Sequence, residues 1–265
     1  MPQTFYHCTV AARKKRKNYL RVFAWLSMGF ALLLFAYLAW VWFNNRPQFV
    51  LYREFGIPIP SNYEIHGIDV SRYQQNIAWD AVRDMDVNGI RLHFAFIKAT
   101  EGTSNKDPYF RRNWRKSREA GVVRGAYHFF VPWKDGRLQA EHFISQVGLE
   151  SGDLPPVLDV EQIGRTTTVK LREEVKEFLS ILEAHYGVKP IIYTNADFYK
   201  RHLLGHFDQY PLWVAHYLQP HQPRISRSWS FWQHSETGRV NGIVSKVDFN
   251  VFNGDSADFR ALLLP

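Results

Sequence analysis

Between residues 67 and 252 the chain divides into eight short runs rich in Val, Ile and aromatic residues. They are Gly67–Tyr73, Phe94–Thr100, Val123–Phe130, Val157–Glu161, Ile191–Asn195, Leu212–Tyr217, Trp229–Ser235 and Val247–Phe252. Their lengths and composition fit strands buried on both faces. Helical patterns fill the first five gaps, near 79–88, 109–120, 136–147, 168–186 and 197–204. In the clearest, Leu171, Val175, Phe178, Leu179, Leu182 and Tyr186 fall on one face, Thr166–Thr168 offer caps and Gly187 supplies a stop. The last two gaps contain Pro220 with Pro223 and Gly238 with Gly242, which predict connections without a helix. Five βα units followed by three strands predict an α/β domain with a mainly parallel sheet. Eight strands point to closure into a TIM-like (β/α) barrel, with an open doubly wound sheet as the other arrangement.

A second feature sits ahead of this domain. From Val22 to Phe43 run 22 residues without a charge. As a helix this segment spans about 33 Å, which matches a hydrocarbon core of about 30 Å. Trp25, Tyr37, Trp40 and Trp42 place rings near its ends, and Arg13–Lys17 stand just before it. The positive-inside rule puts such an amino terminus in the cytoplasm and everything beyond Asn44 outside. A cleaved signal peptide is the other reading. The run is long for one, and Ala36 and Ala39 lack the cleavage-site spacing. The expected organisation is a basic tail over 1–21, a transmembrane helix over 22–43, a linker or stalk over 44–62 and a barrel over 63–265. Pro47, Pro58 and Pro60 interrupt the linker.

The formal charge of +8 belongs to this anchor. Residues 1–46 hold seven basic residues and no acid, so the other 219 carry 26 basic against 25 acidic residues. A body this close to neutral argues against nucleic acid as a partner. The single cysteine, Cys8, rules out a disulfide framework within the chain. No G-x-S-x-G elbow, P-loop or G-x-G-x-x-G occurs, so serine-hydrolase and nucleotide chemistry have no support.

Acids mark the strand ends, where a parallel barrel gathers its reactive groups. Asp69 lies in the first run, Asp159 and Glu161 end the fourth, and Asp248 begins the eighth. Residues two apart on a strand share a face, so Asp159 and Glu161 stand about 7 Å apart. Mutual repulsion and partial desolvation then raise at least one pKa, as a general acid working near neutrality requires. Glycoside hydrolysis uses paired carboxylates in this way. The competing reading is structural, with these acids in salt bridges, for instance Asp159 with Lys98.

The runs His66-Gly67-Ile68-Asp69-Val70-Ser71-Arg72-Tyr73-Gln74, Phe96-Ile97-Lys98-Ala99-Thr100-Glu101-Gly102, Gly125-Ala126-Tyr127-His128-Phe129 and Leu158-Asp159-Val160-Glu161 resemble glycoside hydrolase family 25. Leu212–Tyr217, Trp232-Gln233 and Val247–Asn250 continue the likeness, which spans roughly 65–255. Its members are lysozymes that cut peptidoglycan. The resemblance implies a flattened (β/α) barrel and hydrolysis, with retention, of the β-1,4 bond between N-acetylmuramic acid and N-acetylglucosamine. It makes Glu161 the general acid, sets Asp159 to orient the acetamido group or stabilise positive charge, and has Asp69 and Asp248 complete the anionic floor. No cofactor is implied, and the partners are peptidoglycan glycan strands and the inner membrane of a bacterium. The chain departs from the family at Gln75, where Gly or Pro is common, and at Asn105, where an aromatic or Leu is common.

Candidate substrate contacts are Tyr73, Lys98, Tyr127, Trp213 and Gln233, with Trp232 as a further stacking ring. Glu101 reads as a solvated loop acid. His202 and His206 lack the Glu of a zincin, and His128, His216 and His234 read as core, so no metal is expected. The alternative function is a catalytically silent glycan-binding protein on the same barrel. Retention of all four acids argues against it.

Overall fold

A computed structural model describes residues 8–44 and 48–265; residues 1–7 and 45–47, among them Arg46 and Pro47, lie outside the described residues, as do the side chains of Cys8 and the Arg13–Lys17 cluster. The chain forms two compact units, residues 1–46 and 47–265.

The first unit is one helix, Cys8–Asn44, which extends upstream of the apolar run. Within it Arg21–Phe43 is long and apolar enough to cross a membrane. Its described side chains are almost all exposed.

The second unit is a closed eight-stranded barrel. Its strands are β1 (His66–Val70), β2 (Ile90–Glu101), β3 (Val123–Phe129), β4 (Val157–Asp159), β5 (Ile191–Asn195), β6 (Leu212–Ala215), β7 (Phe231–Gly238) and β8 (Val247–Phe252). Pairing runs in sequence order around the ring and closes through both β8 and β2 onto β1. The first seven strands are parallel, whereas β8 is antiparallel to β7 and β1. That reversal explains why an acid at the start of β8 joins acids at the ends of the others.

Five helical segments follow the first five strands. They are α1 (Trp79–Arg83), α2 (Phe110–Glu119), α3 (Gly136–Ile144), α4 (Thr168–Tyr186) and α5 (Ala196–Phe198), the last running into a π-helical turn at Tyr199–Leu203. The Thr167 side chain caps α4 by accepting from the Lys170 amide, and Gly187 ends it in the left-handed conformation. Residues 218–228 and 239–246 contain no helix, as their Pro and Gly content predicts. A last helix, α6 (Ser256–Leu262), follows β8.

Strand alternation sorts the apolar residues into two layers. Phe94, Phe96, Val157, Ile191, Trp213 and Phe231 fill the barrel interior. Their neighbours Ala95, Ile97, Leu158, Ile192, Val214 and Trp232 pack outward in the second layer, with Phe178 and Leu182 of α4. Gly67 and Gly125 leave room for the interior rings. A Cβ on Gly67 would meet Phe94 at 2.5 Å, and one on Gly125 would meet Phe96 at 2.6 Å.

The expected linker over 44–62 is corrected. Phe49–Tyr52 and Ile57–Pro60 form an antiparallel hairpin that belongs to the second unit. Phe55, Ile57 and Ile59 are buried in the outer layer, and Phe55 packs on Phe249 at 5.3 Å between ring centroids. The Arg239 amide donates to the Phe55 carbonyl at 2.8 Å.

Candidate active site

Four interior positions at the carboxyl end of the barrel bring the acids together. Asp159 ends β4 and Glu161 follows it on the same side, with Val160 between them in the outer layer. Asp69 on β1 and Asp248 on β8 are direct cross-strand partners. Partners of this kind have Cβ atoms about 5 Å apart.

Two carboxyls this close and this buried cannot both hold a charge. Asp69 Oδ2 accepts from Gln233 Nε2 and from Asn250 Nδ2, both at 2.8 Å. Burial raises the Asp69 pKa, and these donors together with Asp248 work against the rise. Asp248 is pushed up to about 9 by burial first and the Asp69 charge next. Burial and mutual repulsion therefore favour one proton held between Asp248 and Asp69.

The other two acids are also held toward the neutral form. Burial, then the charge of Glu161, raises Asp159 well above the usual carboxylate range. Its Oδ1 is buried without a hydrogen-bond partner. Burial, then the charge of Asp69, raises Glu161, which stays half-buried. Glu161 opens onto a cleft of about 510 Å³ that Tyr193, Asn195, Tyr217, Glu236 and Asp248 also line. A larger cavity of about 620 Å³ lies at the other end of the barrel, beside Ile65, Arg91 and Phe259, and holds none of the four acids.

The remaining expected residues divide into those that face the acids and those that support them. Gln233 is buried and central. While donating to Asp69, it accepts from the Tyr193 hydroxyl at 2.9 Å and the Tyr217 hydroxyl at 2.5 Å. Tyr127 is buried, and the charges of Asp69, Asp159 and Asp248 add to burial in raising its hydroxyl pKa. Tyr73 follows β1 on the rim, exposed, with the Arg72 guanidinium 5.3 Å from its ring centre.

Several expectations need correction. Trp213 offers no face to a ligand, because it stacks on Phe96 at 4.3 Å and its indole donates to Asn250 Oδ1 at 2.8 Å. It acts on the site through Asn250. Trp232 points away from the acids into the outer layer, where it meets Phe49 and Trp229 edge-on. Lys98 does not pair with Asp159. Its Nζ binds Glu101 Oε2 at 2.7 Å and lies 4.6 Å from the Phe129 ring centre. Its charge lowers the pKa of Asp159 and Glu161 only as a lesser influence. Glu101 is accordingly not a solvated loop acid but the last residue of β2. A register shift after Lys98 accompanies the turn of the Thr100 hydroxyl to His128 Nδ1 at 2.7 Å.

The three strand histidines do not converge. His128 is buried beside Phe143 and Phe178, His234 packs against Trp232 and Phe49, and His216 Nδ1 accepts from the Arg224 amide. Among the described residues Asp135, Glu174 and Glu177 bring carboxylate oxygens within 4.8 Å of one another, away from the cleft. Two of its members are already engaged, with Asp135 capping α3 and Glu174 accepting from the Gly136 amide.

Five residues of this site were not anticipated from the sequence: Asn250, Tyr193, Asn195, Tyr217 and Glu236. Asn250 carried a readable signal, since it stands two positions after Asp248 and must share its face.

A solvent-accessible carboxyl with a raised pKa beside a second buried one is a device for giving a proton to a leaving oxygen. Comparison with known proteins agrees with that chemistry. Lysozyme M1 of Streptomyces globisporus is 38% identical over 214 residues, 75% of this chain and 71% of that one. The YegX protein of Escherichia coli (strain K12) is 51% identical over 211 residues, 80% of this chain and 78% of that one. A family 25 glycosyl hydrolase structure from Bacillus anthracis aligns with a TM-score of 0.71 at 32% identity, over 77% of this chain and 95% of that one. The profile of Glycosyl hydrolases family 25 matches residues 68–243, and with two thirds of its length inside that match the chain belongs to this family and is a glycoside hydrolase.

Proposed function

We propose that this chain is a membrane-anchored muramidase. It hydrolyses the β-1,4 bond between N-acetylmuramic acid and N-acetylglucosamine in peptidoglycan, with Glu161 as general acid and base. The observation that carries this reading is the contrast between two acids on one strand end. Glu161 is half-buried with a raised pKa at the mouth of the cleft, whereas Asp159 is closed in behind it.

Glu161 gives its proton to the glycosidic oxygen as the bond to C1 breaks. The orphaned Oδ1 of Asp159 is an acceptor awaiting a donor, and the N–H of a 2-acetamido group has the right chemistry. Held there, the acetamido oxygen closes on C1 from the opposite face, and water assisted by Glu161 later opens the ring with retention. Asp69, whose Oδ2 accepts from Gln233 and Asn250, faces the positive charge that develops at the sugar and stabilises it. Arg21–Phe43 anchors the enzyme in the bacterial inner membrane, with the cluster Arg13–Lys17 on the cytoplasmic side and the barrel facing the wall.

Digestion of purified peptidoglycan, with mass analysis of the fragments, tests the assignment. Products with reducing N-acetylmuramic acid ends are expected. Glu161→Gln should lower kcat by roughly 10²–10⁴, the usual range for a lost general acid. Wild-type activity should fall as pH rises through the raised pKa of Glu161, because the acid form is consumed. Binding of the glycan without cleavage would instead identify a silent binding protein.

A further inference from the structure

The rings expected to stack on sugar, Tyr127, Trp213 and Trp232, are each 9% exposed or less. A pyranose presents an apolar C–H face and needs an aromatic ring with an open face to receive it. Among the described residues of the barrel unit, the exposed Tyr, Phe and Trp side chains are two, Tyr73 at 70% and Trp133 at 54%. Both stand at the end of the barrel that carries the acids, Tyr73 just past β1 and Trp133 just past β3. The flanks and the opposite end hold no such ring.

Trp133 is fixed from two sides. Gln139, itself fully buried, staples the loop that bears it. Its Oε1 accepts from the Val131 amide at 2.8 Å, and its Nε2 donates to the carbonyls of Val131 and Lys134 at 3.1 Å. On the other side the ring rests on Gly164, three residues beyond Glu161. Gly164 has φ +56°, and a Cβ there would lie 2.1 Å from Trp133 Cζ3. Any side chain at 164 would evict the ring. An indole held this firmly while more than half exposed gains little for the fold, since its free face remains in water. Preorganisation of that kind serves a ligand.

We propose that Trp133 is a sugar-binding platform, taking the apolar face of a pyranose of the glycan strand beside the bond cut at Glu161. The identity of the sugar rests on the muramidase reading; the platform itself rests on Trp133, Gln139 and Gly164.

The test uses the full-length protein in detergent micelles with peptide-free glycan strands. Cleavage kinetics are measured in the wild-type background, and strand affinity in the Glu161→Gln background. Trp133→Ala should raise KM and Kd about tenfold while kcat stays within about twofold, and Trp133→Phe should recover most of the loss. Unchanged KM and Kd in Trp133→Ala, with hydrolysis intact, overturn the platform and leave the enzyme assignment standing. A fall in kcat accompanied by lost thermal stability also overturns it, by making the ring structural. If the wild type binds strands without cutting them and Trp133→Ala weakens that binding, the platform stands and the muramidase reading falls. If the wild type neither cuts nor binds, both fall.

Discussion

At the scale of single residues, the site is governed by where protons sit. The spacing of Asp159 and Glu161 was enough to place them on one face, because a strand has period two whatever its neighbours are. The pairing of Asp69 with Asp248 was not readable, since it depends on the register between strands 179 positions apart in the chain. That pairing has a measurable consequence. Burial and the Asp69 charge push the Asp248 pKa up to about 9 in the folded protein, from the ordinary value of 3.8 that the unfolded chain regains. Between those values the folded state holds a proton that the unfolded state has lost, so stability falls as pH rises across this window. Asn at 248 keeps a donor toward Asp69 without needing a proton. Asp248→Asn should therefore flatten the decline, and its melting temperature should overtake that of the wild type between pH 5 and about 8.5 when both are followed by thermal unfolding. A parallel decline in the two proteins would show that Asp248 is not the proton-bearing partner.

Elements obey their own logic of alternation and space. Strand positions and the five helices were legible because hydrophobic period and Gly/Pro punctuation are local. The facing of each ring was legible only as an either-or. Trp232 and Gln233 are adjacent, so both could not face the acids, and the hydrogen bond from Gln233 to Asp69 decides between them. The shift after Lys98 was invisible for a different reason, since a bulge answers to the neighbouring strand and not to its own sequence. Interior glycines are the counterpart of interior rings. Adding a methyl group at Gly125 drives it into Phe96 and the Cβ of Leu154. Overpacking of this sort costs roughly 1–3 kcal/mol. Gly125→Ala should lose about that much in denaturant unfolding, and adding Phe96→Leu should restore part of it by vacating the contact. If the double variant is only the sum of the two single losses, ring-against-glycine packing is not what shapes the interior.

For the molecule as a whole, the open question is where the enzyme begins. Pro58 and Pro60 made the stretch before residue 63 read as linker, although Phe55, Ile57 and Ile59 already showed strand alternation. Proline is tolerated there because a two-stranded hairpin is all edge. Pro58 points outward while Ile57 and Ile59 are buried. Removing the hairpin would uncover the outer faces of Trp232 and Phe249, which Phe49 and Phe55 now meet edge-on. Buried aromatic residues of this size cost about 3–5 kcal/mol to lose, comparable to much of the stability of a single domain. A fragment of residues 47–265 should consequently fold, remain soluble without detergent and cut peptidoglycan, as expected of a unit whose Bacillus anthracis counterpart aligns over 95% of its length. A fragment of residues 63–265 keeps all four acids yet should aggregate, or melt about 6–20 °C lower by the usual size scaling of about 2–4 °C per kcal/mol. Equal melting temperatures for the two fragments would return the hairpin to the status of a tether. A lower one for the shorter fragment makes the hairpin part of the enzyme.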